Sequence, residues 1–156
     1  MYTRSTLKIF FGVLFVFAFF GAGYFLEKEA KEFDPVRKIT LGESIFRVEV
    51  SETSEERARG LSGLKSLPEG GGMLFVFPES SKPGIWMKEM LFPIDIVWLD
   101  KDGVVVWIVK NASPDSYPFV YEPEVEAFYV LEINAGVINA RGIKIGDRAV
   151  FETGSF

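Results

Sequence analysis

Between Lys8 and Glu27 no residue carries a charge, and that stretch constrains the chain more than any other. The run from Ile9 to Leu26 consists of Ile, Phe, Val, Leu, Ala and Gly with a single Tyr. About 18 such residues, at ~1.5 Å rise each, make a helix of roughly 27 Å, the lower limit for crossing a bilayer. Arg4 and Lys8 precede the run and Glu27 follows it. The positive-inside bias then keeps the N-terminus cytoplasmic and sends the remainder outward. A cleaved signal peptide is the competing reading, since Gly21-Ala22-Gly23 offers small residues after a basic start. Against it, the apolar core exceeds the usual ~7 to 15 residues and Phe19 and Phe20 crowd the cut. The expectation is an uncleaved single-pass anchor in the cytoplasmic membrane, or a secreted chain if the segment is removed. In both cases the working domain is extracytoplasmic.

The organisation that follows is an anchor or signal segment over 1–27, a charged tether over 28–37 and one β-rich domain over 38–156. A length of this order suits one domain with one core. The chain has 17 basic and 22 acidic side chains, and without Arg4 and Lys8 the balance is 15 against 22, a formal charge of −7. Such a domain repels nucleic acid unless its basic residues cluster, and no cluster is present. Nucleic acid is therefore not an expected partner.

Histidine and cysteine are both absent. That excludes Ser-His-Asp and Cys-His catalysis, thiolate or imidazole metal sites, haem ligation by either residue, and disulfides. Carboxylate acid/base work, a Ser-Lys pair, a lysine Schiff base or a hard cation held by oxygens survive the cut. No cofactor and no metal are expected. Glutamine is absent too, and asparagine occurs only at Asn111, Asn134 and Asn139, a thermophile tendency.

Glu27 to Asp34 is charged and stops at Pro35. Beyond it the pattern predicts strands over Ile39 to Leu41 and Ile45 to Val50 around a Gly42-Glu43 turn. Thr53 or Ser54, followed by Glu55 and Glu56, predicts a capped short helix ending at Gly60. Further strands are predicted over Met73 to Phe77, Ile85 to Glu89, Ile94 to Leu99, Val104 to Val109, Ala127 to Asn134 and Arg148 to Glu152. Asp102-Gly103 marks a hairpin turn, and Asn111 to Glu126, with three prolines, a long loop. Short strands separated by turns and mostly lacking helical crossovers predict an all-β, mainly antiparallel fold, a compact sandwich or flattened barrel with one or two short helices.

Arg59-Gly60-Leu61, Gly72-Met73-Leu74-Phe75-Val76-Phe77, Trp86-Met87-Lys88, Pro93-Ile94-Asp95-Ile96, Val130-Leu131-Glu132 and Gly142-Ile143-Lys144-Ile145-Gly146-Asp147 occur in that order. Over about residues 46 to 151 the set resembles the domain of unknown function 192 family. The resemblance implies an exported or membrane-associated protein with a compact β-rich fold, and it implies no reaction. The chain departs from the family's pattern at Ser62, where Met is usual, and at Glu89-Met90, where Asn-Thr is usual. Were that Asn-Thr pair in contact with a ligand, the ligand here would differ.

Six residues are candidates for ligand binding: Asp95, Lys88, Trp86, Glu132, Arg57 and Arg59. Strand periodicity puts Asp95 on the face of Val97 and Leu99, opposite Ile94, Ile96 and Trp98. An acid in so apolar a strand is costly unless hydrogen-bonded or paired. Backbone N–H groups of a neighbouring loop or an arginine would satisfy it structurally; a general acid/base or ligand anchor is the functional alternative. Glu132, between Val130 and Asn134 on its face, poses the same problem. Lys88 shares a face with Trp86 and Met90 in the predicted strand, and its stem is expected to lie over the indole. Arg57 and Arg59 would hold one of the acids or bind an anion.

Convergence of Lys88, Asp95 and Glu132 would suit a sugar or a small zwitterion. Expected partners are the membrane through residues 9–26 and a saccharide, small ligand or envelope protein. Asp95 and Glu132 as an acid/base pair in a glycoside hydrolase or lyase are the alternative, with no catalytic residue assigned. Other signals fail. Gly70-Gly71-Gly72 has no Gly-Lys-Ser/Thr after it, Ser62 has no histidine to serve it, and Asp100 and Asp102 lack the later ligands of a calcium loop.

Overall fold

Alternation of apolar and polar residues over the first described segment builds a hairpin. β1 (Arg37–Leu41) and β2 (Ser44–Ser51) pair antiparallel from Arg37 opposite Val48 to Leu41 opposite Ser44. The structure is a computed structural model and describes Phe33 and residues 37–152. The expected anchor over 9–26 lies outside the described residues. Among the described residues no helix is long and apolar enough to cross a membrane.

After β2 the chain enters α1 (Ser54–Arg59) through a capping box. The Glu56 N–H donates to Thr53 Oγ1 at 3.2 Å, and the Thr53 N–H donates back to Glu56 Oε2 at 3.0 Å. The Glu52 N–H adds a third bond to Oε2 at 2.9 Å. These donations hold the Glu56 carboxyl below its ordinary 4.5, chiefly through the Thr53 and Glu52 backbone. α1 ends at Gly60, and a loop leads to β3 (Gly71–Ser81), which runs parallel to β2 from Arg47 opposite Gly71 to Ser51 opposite Phe75. This parallel pair requires a crossover, and α1 with its loop supplies it. The expectation was a mainly antiparallel sheet with few helical crossovers, and this parallel pair was not foreseen. Spacing within a strand carries no record of the neighbour's direction.

β4 (Ile85–Trp86) pairs with β7 (Val120–Tyr121) as a separate two-stranded ribbon. The predicted strand 85–89 therefore stops after Trp86; the Met90 N–H donates to the Met87 carbonyl at 3.3 Å in a turn, and Glu89 has a positive φ of 55°. Met90 is buried while Lys88 is exposed, so the two do not share a face as expected. β5 (Ile94–Leu99), β6 (Val105–Ala112), β8 (Ala127–Asn134) and β9 (Ala149–Phe151) complete the main sheet, in the order β6-β5-β8-β3-β2-β1-β9. A 3-10 turn over Pro114–Ser116 and β7 interrupt the predicted long loop. α2 (Val137–Arg141), which the pattern did not single out, lies between Gly136 and Gly142.

The sheet curls until its edges meet at one corner. Val104 bridges Arg148 antiparallel, the Val105 N–H donates to the Asp147 carbonyl at 2.8 Å, and the Ala149 N–H donates to the Gly103 carbonyl at 2.8 Å. Gly103 is required there: a Cβ on it would stand 2.8 Å from the Ala149 carbonyl oxygen. Asp100 Oδ1 accepts from the Asp102 and Val104 N–H groups at 2.9 and 2.8 Å, so the Asp-Gly signal marks a real hairpin turn between β5 and β6. Lys144 Nζ reaches Asp147 at 2.7 Å and, with its own N–H, keeps the Asp147 carboxyl below its usual range.

The result is a mostly antiparallel curled sheet, a half-barrel with two short helices, and not a sandwich. Both faces are nevertheless covered. The inner face packs Leu41, Phe46, Val48, Leu74, Val97 and Leu131 around Ile138 of α2. The outer face packs Met73, Phe75, Ile96, Trp98 and Val130 beneath Leu61, Leu64 and Leu67 of the loop after α1 and Ile85 of the ribbon. Phe33 also packs against this outer layer. Every residue of β5 is buried, as suits a strand with cover on both faces.

Candidate functional site

Asp95 sits where β6 bulges. The register slips between Ile94, opposite Ala112, and Ile96, opposite Val109, and Asn111 takes a positive φ of 54°. Its N–H is thereby turned onto Asp95 Oδ1 at 2.9 Å. Oδ2 accepts the Ile138 N–H at 2.8 Å, tying the first turn of α2 to β5. Asp95 is fully buried on the inner face, with Val97 and Leu99, as strand periodicity predicts. Its two oxygens accept backbone N–H groups, one from the β6 bulge and one from α2. Among the described residues no arginine holds it.

Glu132 is one register step away and on the other side of the sheet. It lies opposite Ile96, whereas Asp95 lies opposite Ile133. Ile96 belongs to the outer layer and Ile133 to the inner. The sheet therefore separates the two carboxylates, and no one substrate bond is flanked by both. Convergence of Lys88, Asp95 and Glu132 does not occur.

What does converge is a cleft on the outer face, about 320 Å³ with its open mouth included, between α1 and the β4–β7 ribbon. Four of the six candidates line it: Arg57, Arg59, Trp86 and Glu132. Glu132 is 4% exposed and Trp86 45% exposed, so a buried acid and an accessible indole share one cavity. Leu61, Phe75, Ile85 and Met90 supply apolar wall. Gly60 closes α1 at a φ of 49°, and a Cβ there would come to 3.3 Å from Phe75 Cζ. A small residue at this point keeps the helix end close to the sheet and the cleft unobstructed.

The two arginines differ. Arg57 Nη1 donates to the Val76 carbonyl at 2.9 Å and also to the Glu52 carbonyl, Nη2 donates to Ser54 Oγ at 3.3 Å, and the guanidinium lies 5.0 Å from the Phe77 ring centroid. Its fork is used in docking α1 to β3, and neither Asp95 nor Glu132 is its partner as the sequence suggested. Arg59 is exposed in the last turn and lends its charge to the electrostatic lowering of Glu56. Of the two arginines that line the cleft it is the more exposed.

Lys88 stands outside, and it is its ammonium, 5.9 Å from the Trp86 ring centroid, that lies over the indole. Its carbonyl accepts from Ser62 Oγ at 2.8 Å, and the Glu89 carbonyl accepts from the Gly63 N–H at 3.1 Å. These two bonds join the loop after α1 to the turn after Trp86, fixing the cleft's walls to one another. Ser62 thus has a structural use that no motif signalled. Glu89 is exposed in a left-handed conformation, one that asparagine adopts more readily than glutamate. This backbone by itself gives a reason for the Asn usual in the family at this point. Among the described residues no three or more acids gather as a metal site requires.

Chemically the cleft offers a cation at the rim, an acid at the base and a flat apolar wall. Those groups have the chemistry to hydrogen-bond and pack against a small polar molecule. The cleft lacks a second carboxylate for paired acid/base work.

Similarity to known proteins follows the same architecture. A "UPF0127 protein" from Thermococcus sibiricus is 32% identical over 108 residues, covering 68% of this chain and 66% of that relative's length. Two crystal structures match with a TM-score of 0.71 each. One is a putative transcription regulator from Sinorhizobium meliloti 1021, 28% identical, covering 78% of this chain and 98% of that one. The other is a protein of unknown function from Novosphingobium aromaticivorans DSM 12444, 30% identical, covering 80% and 94%. The family profile of domain of unknown function 192, described as "Uncharacterized ACR", matches residues 37–151. That span contains the whole half-barrel from β1 to β9, and the chain belongs to the domain of unknown function 192 family.

Proposed function

We propose that the protein is a membrane-tethered, extracytoplasmic binding module that takes a small saccharide or zwitterion in the cleft between α1 and Trp86. The observation that carries this reading is the sharing of one cleft by an exposed Trp86, an accessible Arg59 and a buried Glu132, drawn from three separate elements. An indole face suits the apolar face of a sugar ring or an aliphatic side chain, and the charged pair suits hydroxyl, carboxylate or ammonium groups. The outward location rests on the uncharged run and on the basic residues before it. A regulator's role like that named for the S. meliloti protein is not carried over, because a charge of −7 outside the anchor opposes nucleic acid.

Titration calorimetry of the full chain in detergent against mono- and oligosaccharides, amino sugars and amino acids tests the ligand class. A saturable heat that disappears in both Arg59→Ala and Glu132→Gln is expected. Binding that survives both substitutions would move the site elsewhere, and no binding across the panel would end the reading. Because the chain has no cysteine, single cysteines introduced at exposed positions of the domain, labelled in intact cells with an impermeant maleimide, test its side of the membrane.

A further inference from the structure

A second hollow shares no residue with the outer cleft and is about four times its volume, about 1340 Å³ against about 320 Å³ with both open mouths included. It lies between the β1–β2 hairpin and α2, and Gly70, just before β3, lines it too. From α2 it takes Val137, Ala140 and Arg141, which are three and four positions apart and so share one helix face. Ile138 of the same helix turns to the inner core, and its N–H is held by Asp95 at 2.8 Å. That bond fixes the α2 wall of the hollow to β5.

The edge of β2 is incomplete at this point. Leu41 pairs with Ser44 across the two-residue turn of the hairpin, so Ser44 and Phe46 direct their backbone groups to β1, while Ile45 and Arg47 direct theirs the other way. Arg47 meets β3 there. Its N–H donates to the Gly70 carbonyl at 2.7 Å, and it is the first β2 residue that β3 pairs. Ile45 stands two residues before that start. Its carbonyl oxygen points to Gly70, since a Cβ on Gly70 would lie 3.4 Å from it. Among the described residues no hydrogen bond engages the Ile45 N–H or C=O, and the residue is 59% exposed. An unpaired strand edge of this kind is a template for another extended chain.

Glu43, Arg47, Glu69 and Arg141 line the same hollow, and all four are exposed. Among the described residues no ion pair engages any of them. We infer that the hollow is a docking groove for an extended polypeptide segment of a partner protein, taken up beside Ile45 as an added strand and carrying both an acidic and a basic side chain. The free N–H and C=O of one residue match the C=O and N–H of one residue on an antiparallel strand. Two arginines and two glutamates leave the groove without net charge, so a segment of one sign meets repulsion and a segment of both signs is answered at each. Neither the outer cleft nor the membrane tether enters this inference.

The test pans a phage library of random heptapeptides against the full chain in detergent, with Ala140→Trp as the counter-target. Ala140 is exposed and lines the groove, so the indole fills the groove without entering the core. Peptides enriched on the wild type and not on Ala140→Trp are then synthesised and their affinities measured by fluorescence anisotropy. The enriched peptides are expected to carry at least one Lys or Arg and one Asp or Glu, and to bind Arg47→Ala and Arg141→Ala about tenfold more weakly or worse. Methylating the central backbone nitrogens of a selected peptide, one at a time, should abolish binding at one position and spare its neighbours, because alternate residues of a strand face the edge. Ile45→Pro removes the free N–H and no ladder bond, so it should weaken binding by a similar factor with the circular dichroism unchanged.

No enrichment on the wild type over Ala140→Trp overturns the groove. Selected peptides indifferent to backbone methylation overturn the added strand, and those methylated peptides decide the same point if Ile45→Pro does not fold. A dimer in sedimentation that Ala140→Trp dissociates assigns the groove to a second copy of the chain and overturns the partner segment.

Discussion

Two carboxylates, Asp95 and Glu132, lie on hydrogen-bonded neighbouring strands within one residue pair of each other, and the sheet gives them different work. On the inner face Asp95 is enclosed, fully buried, and each oxygen accepts a backbone N–H from a different element. It fixes the bulge of β6 and the start of α2. On the outer face Glu132 is nearly as buried, but it borders a cleft that solvent and a ligand can enter. Burial alone therefore does not distinguish an acid enclosed by backbone donors from one that borders a cleft. The distinction comes from what covers each face: a helix bonded directly to the carboxylate on one side, and a helix held off by the loop after α1 on the other.

The sharpest break in that comparison is Asp95→Asn. The amide keeps one acceptor and turns an NH₂ towards a backbone donor, leaving a buried N–H without an acceptor. A loss of about 3 kcal/mol in urea unfolding is expected. A loss below about 1 kcal/mol would mean that the inner acid is dispensable and the contrast with Glu132 misplaced. Glu132→Gln keeps the shape and one acceptor oxygen beside an open cleft, and should cost about 1 kcal/mol or less while abolishing ligand heat in calorimetry. If instead it unfolds the protein as severely as Asp95→Asn, the outer acid is structural too.

A smaller effect of opposite sign is expected at Glu89, whose φ of 55° burdens a residue with a Cβ. Glu89→Gly should raise stability by about 0.5 to 1 kcal/mol in thermal unfolding, with ligand affinity unchanged if position 89 acts only through the backbone. Acid supplies the mildest test. Glu56 and Asp147 have folded-state carboxyls held below their ordinary 4.5 and 3.8, so their stabilisation is present above those values and disappears as pH falls through the lowered ones. Glu56→Ala should flatten part of that acid loss in pH-dependent unfolding curves. Because Glu56 caps the helix that carries Arg59, ligand affinity should weaken over the same acidic range.

Much of this was legible in the residues. The helix start at Thr53 or Ser54, the Asp100–Gly103 turn, the strand over Ala127–Asn134 and the facing of Asp95 towards Val97 and Leu99 all depend on neighbours within a few positions, which is the range over which periodicity and turn chemistry act. The end of β4 at Trp86 was not legible, because Met87 to Met90 keep an alternating composition while a turn and a left-handed Glu89 break the strand. Nor was α2, which is short, has no side-chain cap, and relies on Asp95 to accept the Ile138 N–H from 43 positions away.

The sequence by itself determined the β-rich class, the separation of faces along β5 and the absence of imidazole and thiol chemistry, since each follows from residue identity and local alternation. Tertiary structure alone decided that β2 and β3 run parallel, that the sheet curls into a half-barrel, and that Arg59, Trp86 and Glu132 meet while Asp95 is kept apart from them. Those outcomes depend on strand order and on which loop covers which face. They are set by the combined burial of residues far apart in the chain, and no local spacing records it.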